Sequence, residues 1–253
     1  MKTHRMVVSL GIGCAVALAL IFPLSAQSQT WLLDFGGSAV YRSIDTPSPD
    51  SNGHYWNNIG YGYIPGMLDI TGATTSMAYG PDGAYGTDSY NGPAGDTSAG
   101  LSTVANTVFN PGALGNLGQT NAVYDFFDNI HFQLQGLDPA KQYKLTFFGS
   151  HKYNADNTTI YSVCSDSTYA TVLMSTTLQV GGIGGDPSAH NQSSVATLIA
   201  SPQPDTIMYI SATAAAGAGY LNALQIEVVP EPATFALVGL GLLGLVALRR
   251  RNS

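Results

Sequence analysis

The chain has 253 residues, 45% of them hydrophobic and only 10% charged, with a formal net charge of −7. That length holds one large domain or two small ones. An acidic chain repels phosphate, which excludes nucleic acid as a partner, and its strongly apolar segments exclude a disordered polymer.

Lys2 and Arg5 precede a mostly apolar stretch from Met6 to Leu24, and Ser25-Ala26-Gln27-Ser28 follows with small residues. This is the pattern of a secretory signal peptide over residues 1–28, to be left out of the fold. Cys14 leaves with the leader, so Cys164 is the one cysteine of the mature chain and no internal disulfide can form. Its strand-like setting, Thr159-Ile160-Tyr161-Ser162-Val163-Cys164, marks it as a buried, inert thiol.

Residues 29–228 form the predicted ectodomain. It carries four basic residues against fifteen acidic ones, a formal net charge of −11. Fourteen of those acids are Asp, a residue of turns rather than helices. Apolar or alternating segments occur at Trp31–Phe35, Asn121–Phe127, Ile130–Leu134, Tyr143–Gly149, Thr159–Cys164, Thr171–Leu178, Ser194–Ala200, Thr206–Ala212 and Gly219–Val228. Turn-forming clusters separate them, and no stretch shows a helical period. The expectation is an all-β fold, an antiparallel β-sandwich of roughly 8–10 strands. Tyr143, Leu145 and Phe147 should share one face of the clearest strand.

Three groups of residues could carry recognition. His54-Tyr55-Trp56-Asn57-Asn58 offers a flat ring for the apolar face of a sugar and amides for its hydroxyls. The same residues could instead be a core tryptophan with an Asn pair capping a turn. His151 follows the Tyr143 strand at its loop end, a position suited to a binding side chain. Asp82, Asp88, Asn91 and Asp96 lie in a long segment rich in Gly, Asp, Tyr and Ser, where oxygen ligands could gather round Ca²⁺. They could equally form a solvated acidic loop, since their spacing matches no EF-hand. No histidine has zinc-type spacing to another ligand. Gly95-Asp96-Thr97-Ser98-Ala99-Gly100 is not a nucleophile elbow.

The end of the chain has three parts in order. Val229-Pro230-Glu231-Pro232 comes first, then sixteen uncharged residues from Ala233 to Leu248, then Arg249-Arg250-Arg251. As a helix the run would cover about 24 Å, a short membrane span whose arginines stay cytoplasmic. Gly239, Gly241 and Gly244 spell a dinucleotide fingerprint, but inside this run and without a βαβ unit it means nothing of that kind.

Residues 229–253 thereby resemble the PEP-CTERM sorting signal of bacterial surface proteins. The resemblance implies processing near Pro230–Pro232 by an exosortase-type membrane protease. It also implies anchoring in the inner membrane by a C-terminal helix, then release to the cell surface or an extracellular matrix.

The block Leu134–Ser150, the closing Tyr220-Leu221-Asn222-Ala223-Leu224-Gln225-Ile226 and the opening Leu33-Asp34-Phe35-Gly36 with His54–Asn58 resemble a galactose-binding-like jelly roll. This second resemblance implies a carbohydrate-binding module, often with a structural Ca²⁺. The expectation is therefore a non-catalytic surface protein that binds extracellular polysaccharide. The alternatives are a structural or adhesive matrix protein, or a secreted glycoside or ester hydrolase.

Overall fold

The fold is that of a computed structural model, described at residues 29–36, 44–83, 86–88, 109–152, 157–186 and 189–230. Residues 1–28, the expected leader, and residues 231–253 lie outside the described residues, and no described helix is long and apolar enough to cross a membrane.

Thirteen strands form three sheets among the described residues. They are β1 (Thr30–Phe35), β2 (Asn57–Ile59), β3 (Ala78–Asp82), β4 (Gly86–Asp88), β5 (Phe126–Asp128), β6 (Ile130–Gln135), β7 (Tyr143–Phe148), β8 (Asn157–Cys164), β9 (Val172–Gly181), β10 (Ala196–Ala200), β11 (Met208–Ala214), β12 (Tyr220–Leu221) and β13 (Ala223–Val228). The first sheet has the order β10-β7-β13-β1-β2, the second β3-β6-β11-β8-β9, and a small third sheet β12-β5-β4. Pairing is antiparallel throughout except between β1 and β2. The all-β class read from the sequence holds.

Two segments differ from expectation. Asn121–Phe127 is not one strand: Thr120–Tyr124 is a helical turn (α2), and only Phe126 onward is extended. A second short helix, α1 (Pro111–Leu114), starts at Asn110, whose side chain accepts the Ala113 N–H. Both are too short to show a 3.6-residue period. The closing strand is split at Asn222, which moves the chain from the small sheet to the first sheet. Its side-chain oxygen accepts the Ser150 N–H at 2.7 Å, and its amide donates to the Val123 carbonyl.

The two large sheets face each other. Trp31, Leu33 and Phe35 of β1, Tyr143, Leu145 and Phe147 of β7, and Leu224 and Ile226 of β13 pack against Phe132 and Leu134 of β6, Ile210 of β11, and Tyr161 and Val163 of β8. Alternation along each strand sends these residues inward, and burial of each large side chain stabilises by about 1.5–3 kcal/mol. Phe35 anchors the centre, with Phe132 at 5.3 Å and Phe127 at 5.8 Å between ring centroids.

The outer face of the first sheet is covered as well. Leu32, Phe148 and Ala223 point out of it and meet Trp56, Leu114, Leu117, Ala122 and Val123 in a second apolar cluster. The outer face of the second sheet carries no such layer among the described residues, and this difference positions the candidate site.

Candidate functional site

The expected aromatic platform lies in that covering layer. Trp56 is 2% exposed, and its indole N–H donates to Asp50 Oδ2 at 3.0 Å. A ring sealed on both faces cannot stack on a sugar, so the platform role is corrected: Trp56 is a core residue. Asn57 is a bracket, donating to the Leu32 and Leu68 carbonyls and accepting the Leu68 N–H. Asn58 does the same for Thr46, accepting its N–H and donating to its carbonyl, both at 3.0 Å. Tyr55 is half-buried over Gly72, and His54 is half-buried with Nδ1 3.9 Å from the Asp50 carboxylate.

His151 does sit at the end of β7, but it is 4% exposed. Its ring stacks on Tyr220 at 4.0 Å and meets the edge of Phe126 at 5.0 Å. Burial, with His190 adding to it, pushes its pKa down to about 3. The loop-binding role is corrected for the same reason as that of Trp56: the imidazole has no face to offer. Beside it, Ser150 Oγ lies 2.9 Å from His190 Nδ1. That imidazole also meets the Asn191 carbonyl and Gln192, and among the described residues no carboxylate orients it as a general base. Cys164 is fully buried and its thiol pKa is raised by burial, in line with an inert role.

Of the four expected metal ligands, only the Asp82 side chain is described; the side chain of Asp88, and Asn91 and Asp96, lie outside the described residues. Asp82 Oδ2 already accepts from Gln133 and Tyr169. No group of three His, Cys, Asp or Glu side chains gathers as a metal site among the described residues. Asp34, a further acid near the chain start, is fully buried with Oδ1 unpartnered, but it stands against Thr46 and Asn58 rather than in a ligand cage. Asp82 is thus engaged within the sheet, and the rest of the expected Ca²⁺ set lies outside the described residues.

The polar groups that do converge are on the outer face of the second sheet. Register puts Asp82 beside His131, Gly80 beside Gln133, and Tyr209 on the other side of Gln133. All point outward, because the alternate residues Tyr79, Phe132 and Ile210 fill the core. Tyr169 comes from the turn between β8 and β9, with φ at 55°. That conformation is uncommon for a bulky residue and folds the ring back over the sheet. The ring lies flat on His131, 4.3 Å between centroids and 13° from parallel, and its edge-on partner is Tyr209 at 6.2 Å. The Tyr169 hydroxyl donates to Asp82 Oδ2 at 3.1 Å, and Gln133 Nε2 donates to the same oxygen at 3.0 Å. Gln135 donates to Gln133, and the Tyr209 hydroxyl donates to Asp205 at 2.9 Å. Burial, reinforced by Asp82, raises the Tyr169 pKa, so the phenol stays protonated as a donor. Burial lowers that of His131 against the pull of Asp82.

At the β3 edge, Ile64 bridges to Tyr79, so the preceding Tyr63 falls on the outward side next to Gly80, 56% exposed. The face thus carries rings, planar amides and carboxylates in one network. Of these residues only Asp82 was singled out from the sequence, and there as a Ca²⁺ ligand. The available signal was the polar half of Ile130-His131-Phe132-Gln133-Leu134-Gln135, which is His and Gln rather than Lys, Glu or Ser.

At the far end of the first sheet β13 stops at Val228, and the residues beyond match a known family model. Residues 228–251 are a PEP-CTERM protein-sorting motif. The PEP-CTERM motif marks the chain as an exported protein processed by exosortase, and it covers the same tail that the sequence pattern pointed to. No curated protein matches the chain. Similar solved structures include a beta-glucuronidase from Bacteroides uniformis, at 10% identity and a TM-score of 0.47. A calcium-binding mutant of Bacteroides uniformis beta-glucuronidase 2 is similar at 11% and 0.43. Each alignment covers 79% of this chain and 18% of the other. The chain therefore spans less than a fifth of those enzymes.

Proposed function

We propose that this is a non-catalytic, exported surface or matrix protein whose jelly-roll ectodomain binds carbohydrate on the outer face of the second sheet. The observation that carries the reading is Tyr169, laid flat over His131 and tied by its hydroxyl to the same Asp82 oxygen that Gln133 holds. Sugar recognition needs an aromatic surface for C–H faces and fixed planar groups for hydroxyls. A network that is already bonded before the ligand arrives loses little entropy on binding. The leader, the membrane-length tail and the PEP-CTERM motif belong to delivery: export, transient anchoring in the inner membrane, then processing. The hydrolase alternative has less behind it, since no carboxylate orients the buried Ser150–His190 contact among the described residues.

The test is calorimetric titration of the purified protein with a panel of bacterial polysaccharides. Saturable binding to one class is expected, weakened about tenfold or more by Tyr169→Ala or Gln133→Ala with thermal stability nearly unchanged. No binding by a demonstrably folded protein moves the reading to a structural matrix protein. Turnover of a chromogenic glycoside or ester would replace it with a hydrolase.

A further inference from the structure

The folded domain ends flush with the sorting motif. β13 stops at Val228, and the motif match begins at the same residue. The Val228 N–H donates to the Gln29 carbonyl at 2.9 Å, and the Val229 N–H donates to the Gln142 carbonyl at 2.8 Å. Val228 is also in register with Tyr143 of β7 and packs on the core. Pro230 has no N–H, so the ladder must stop there.

Only Pro230 separates Val229 from Glu231, at most about 7 Å of chain between them, and the uncharged run begins at Ala233. A membrane enzyme acting on residues 230–232 therefore cannot stand clear of the sandwich. It must lie against the end from which the chain leaves. That end is not flat: a cavity of about 270 Å³ opens there, lined by Gln29, Trp31, Ser76, Leu137, Lys141 and Tyr143 among others. Gln29 and Tyr143 are the strand neighbours of Val228, so the cavity borders the exit itself. Its rim carries both charges, with Lys141 Nζ 3.6 Å from Asp138 Oδ2.

We propose that this end face, with its cavity, is a docking surface for the exosortase-type enzyme that processes the motif. The enzyme then reads a folded domain and a peptide together, not the peptide alone. Surface complementarity at the end face sets how often the motif is presented to the enzyme, and an unfolded domain loses that contribution.

The experiment uses the full chain in a host that carries the processing enzyme, with the processed fraction followed by pulse-chase and the new C-terminus read by mass spectrometry. Ser76→Arg and Lys141→Glu alter the rim at exposed positions. Each should slow processing about tenfold while the melting temperature stays that of the parent. A second pair carries a spacer of about ten Gly/Ser residues between Val229 and Pro230, which reaches roughly 17 Å. With the spacer, parent and variants should be processed at one common rate, because the end face no longer meets the enzyme. Rim variants processed at the parent rate without a spacer overturn the proposal. A spacer that by itself accelerates processing also overturns it, since the end face would then be an obstruction.

Discussion

Asp34→Asn should stabilise this protein above neutral pH. Asp34 lies on the outer face of the first sheet, fully buried beneath the Ile44–Thr46 segment. Its Oδ2 accepts the Thr46 N–H at 3.0 Å, while its Oδ1 and the Thr46 hydroxyl are buried without further partners. Burial dominates, opposed by Thr46 and helped by Asp45, and it raises the pKa from 3.8 to about 7. A proton on the carboxyl removes the charge from this dry site. The folded state thus holds this proton more tightly than the unfolded state. The resulting stability is complete below pH 3.8 and is lost as the pH rises to about 7. Three pKa units correspond to about 4 kcal/mol, a large share of the 5–15 kcal/mol typical of a domain. Asparagine keeps the shape and accepts from the Thr46 N–H but never ionises. Urea denaturation of both proteins at pH 4, 6 and 8 should show near-equal stability at pH 4. The gap should widen in favour of the variant, approaching about 4 kcal/mol at pH 8. A gap that does not change with pH, or a variant less stable than the parent at pH 8, refutes the reasoning.

The buried histidines act in the opposite direction. Burial lowers His151 to about 3 and His190 to about 4, so their contribution is complete above about 6.5 and is lost as the pH falls below it. In the Asp34→Asn background, where nothing offsets them, denaturation midpoints should fall steadily from pH 7 to pH 4. Gly149→Ala should cost about 3 kcal/mol by overpacking, read as a lower melting temperature. Its added carbon would meet the Tyr161 hydroxyl, the Tyr220 carbonyl at 2.5 Å and Val180 at 2.9 Å. Trp56→Ala should cost about 3–5 kcal/mol through the cavity it leaves, and glycan affinity should change only as far as the folded fraction does.

What was legible in the sequence was whatever depends on local period. β6, β7, β8, β10 and β11 appear where alternation or apolar runs placed them, because one or both faces of each are buried along the strand, and β9 appears too although its burial begins only at Leu178. β2 and β4 are three residues long and give no period to read. β3 contains Gly80-Pro81, which argues against a strand until it is known to be an edge, where a missing N–H is tolerated. The tail was legible because its three parts are contiguous. The site was not, because its members are far apart in sequence: Asp82, His131, Gln133, Tyr169 and Tyr209 meet only through the register of β3, β6 and β11 and the backward fold of one turn. His54–Asn58 was misleading for a general reason. The residue types that recognise sugars, tryptophan and asparagine, also brace a buried layer, and only exposure separates the two uses.

The layering gives that distinction a cause. Four sheet faces are available in the sandwich. Two form the core, and the outer face of the first sheet is sealed by α1, α2 and Trp56. A polar network on the sealed face would lose its solvent and gain nothing, so its polar residues Asp34 and Asn58 brace backbone instead. The outer face of the second sheet bears no apolar covering layer among the described residues, so its polar residues bond one another, with His131, Gln133 and Tyr169 half-buried and Tyr209 buried. The exit of the chain lies at the end of the first sheet, on β13. The two proposals thereby place sorting and recognition on different surfaces of one sandwich: an end for the enzyme that processes the tail, and a face for the ligand met afterwards.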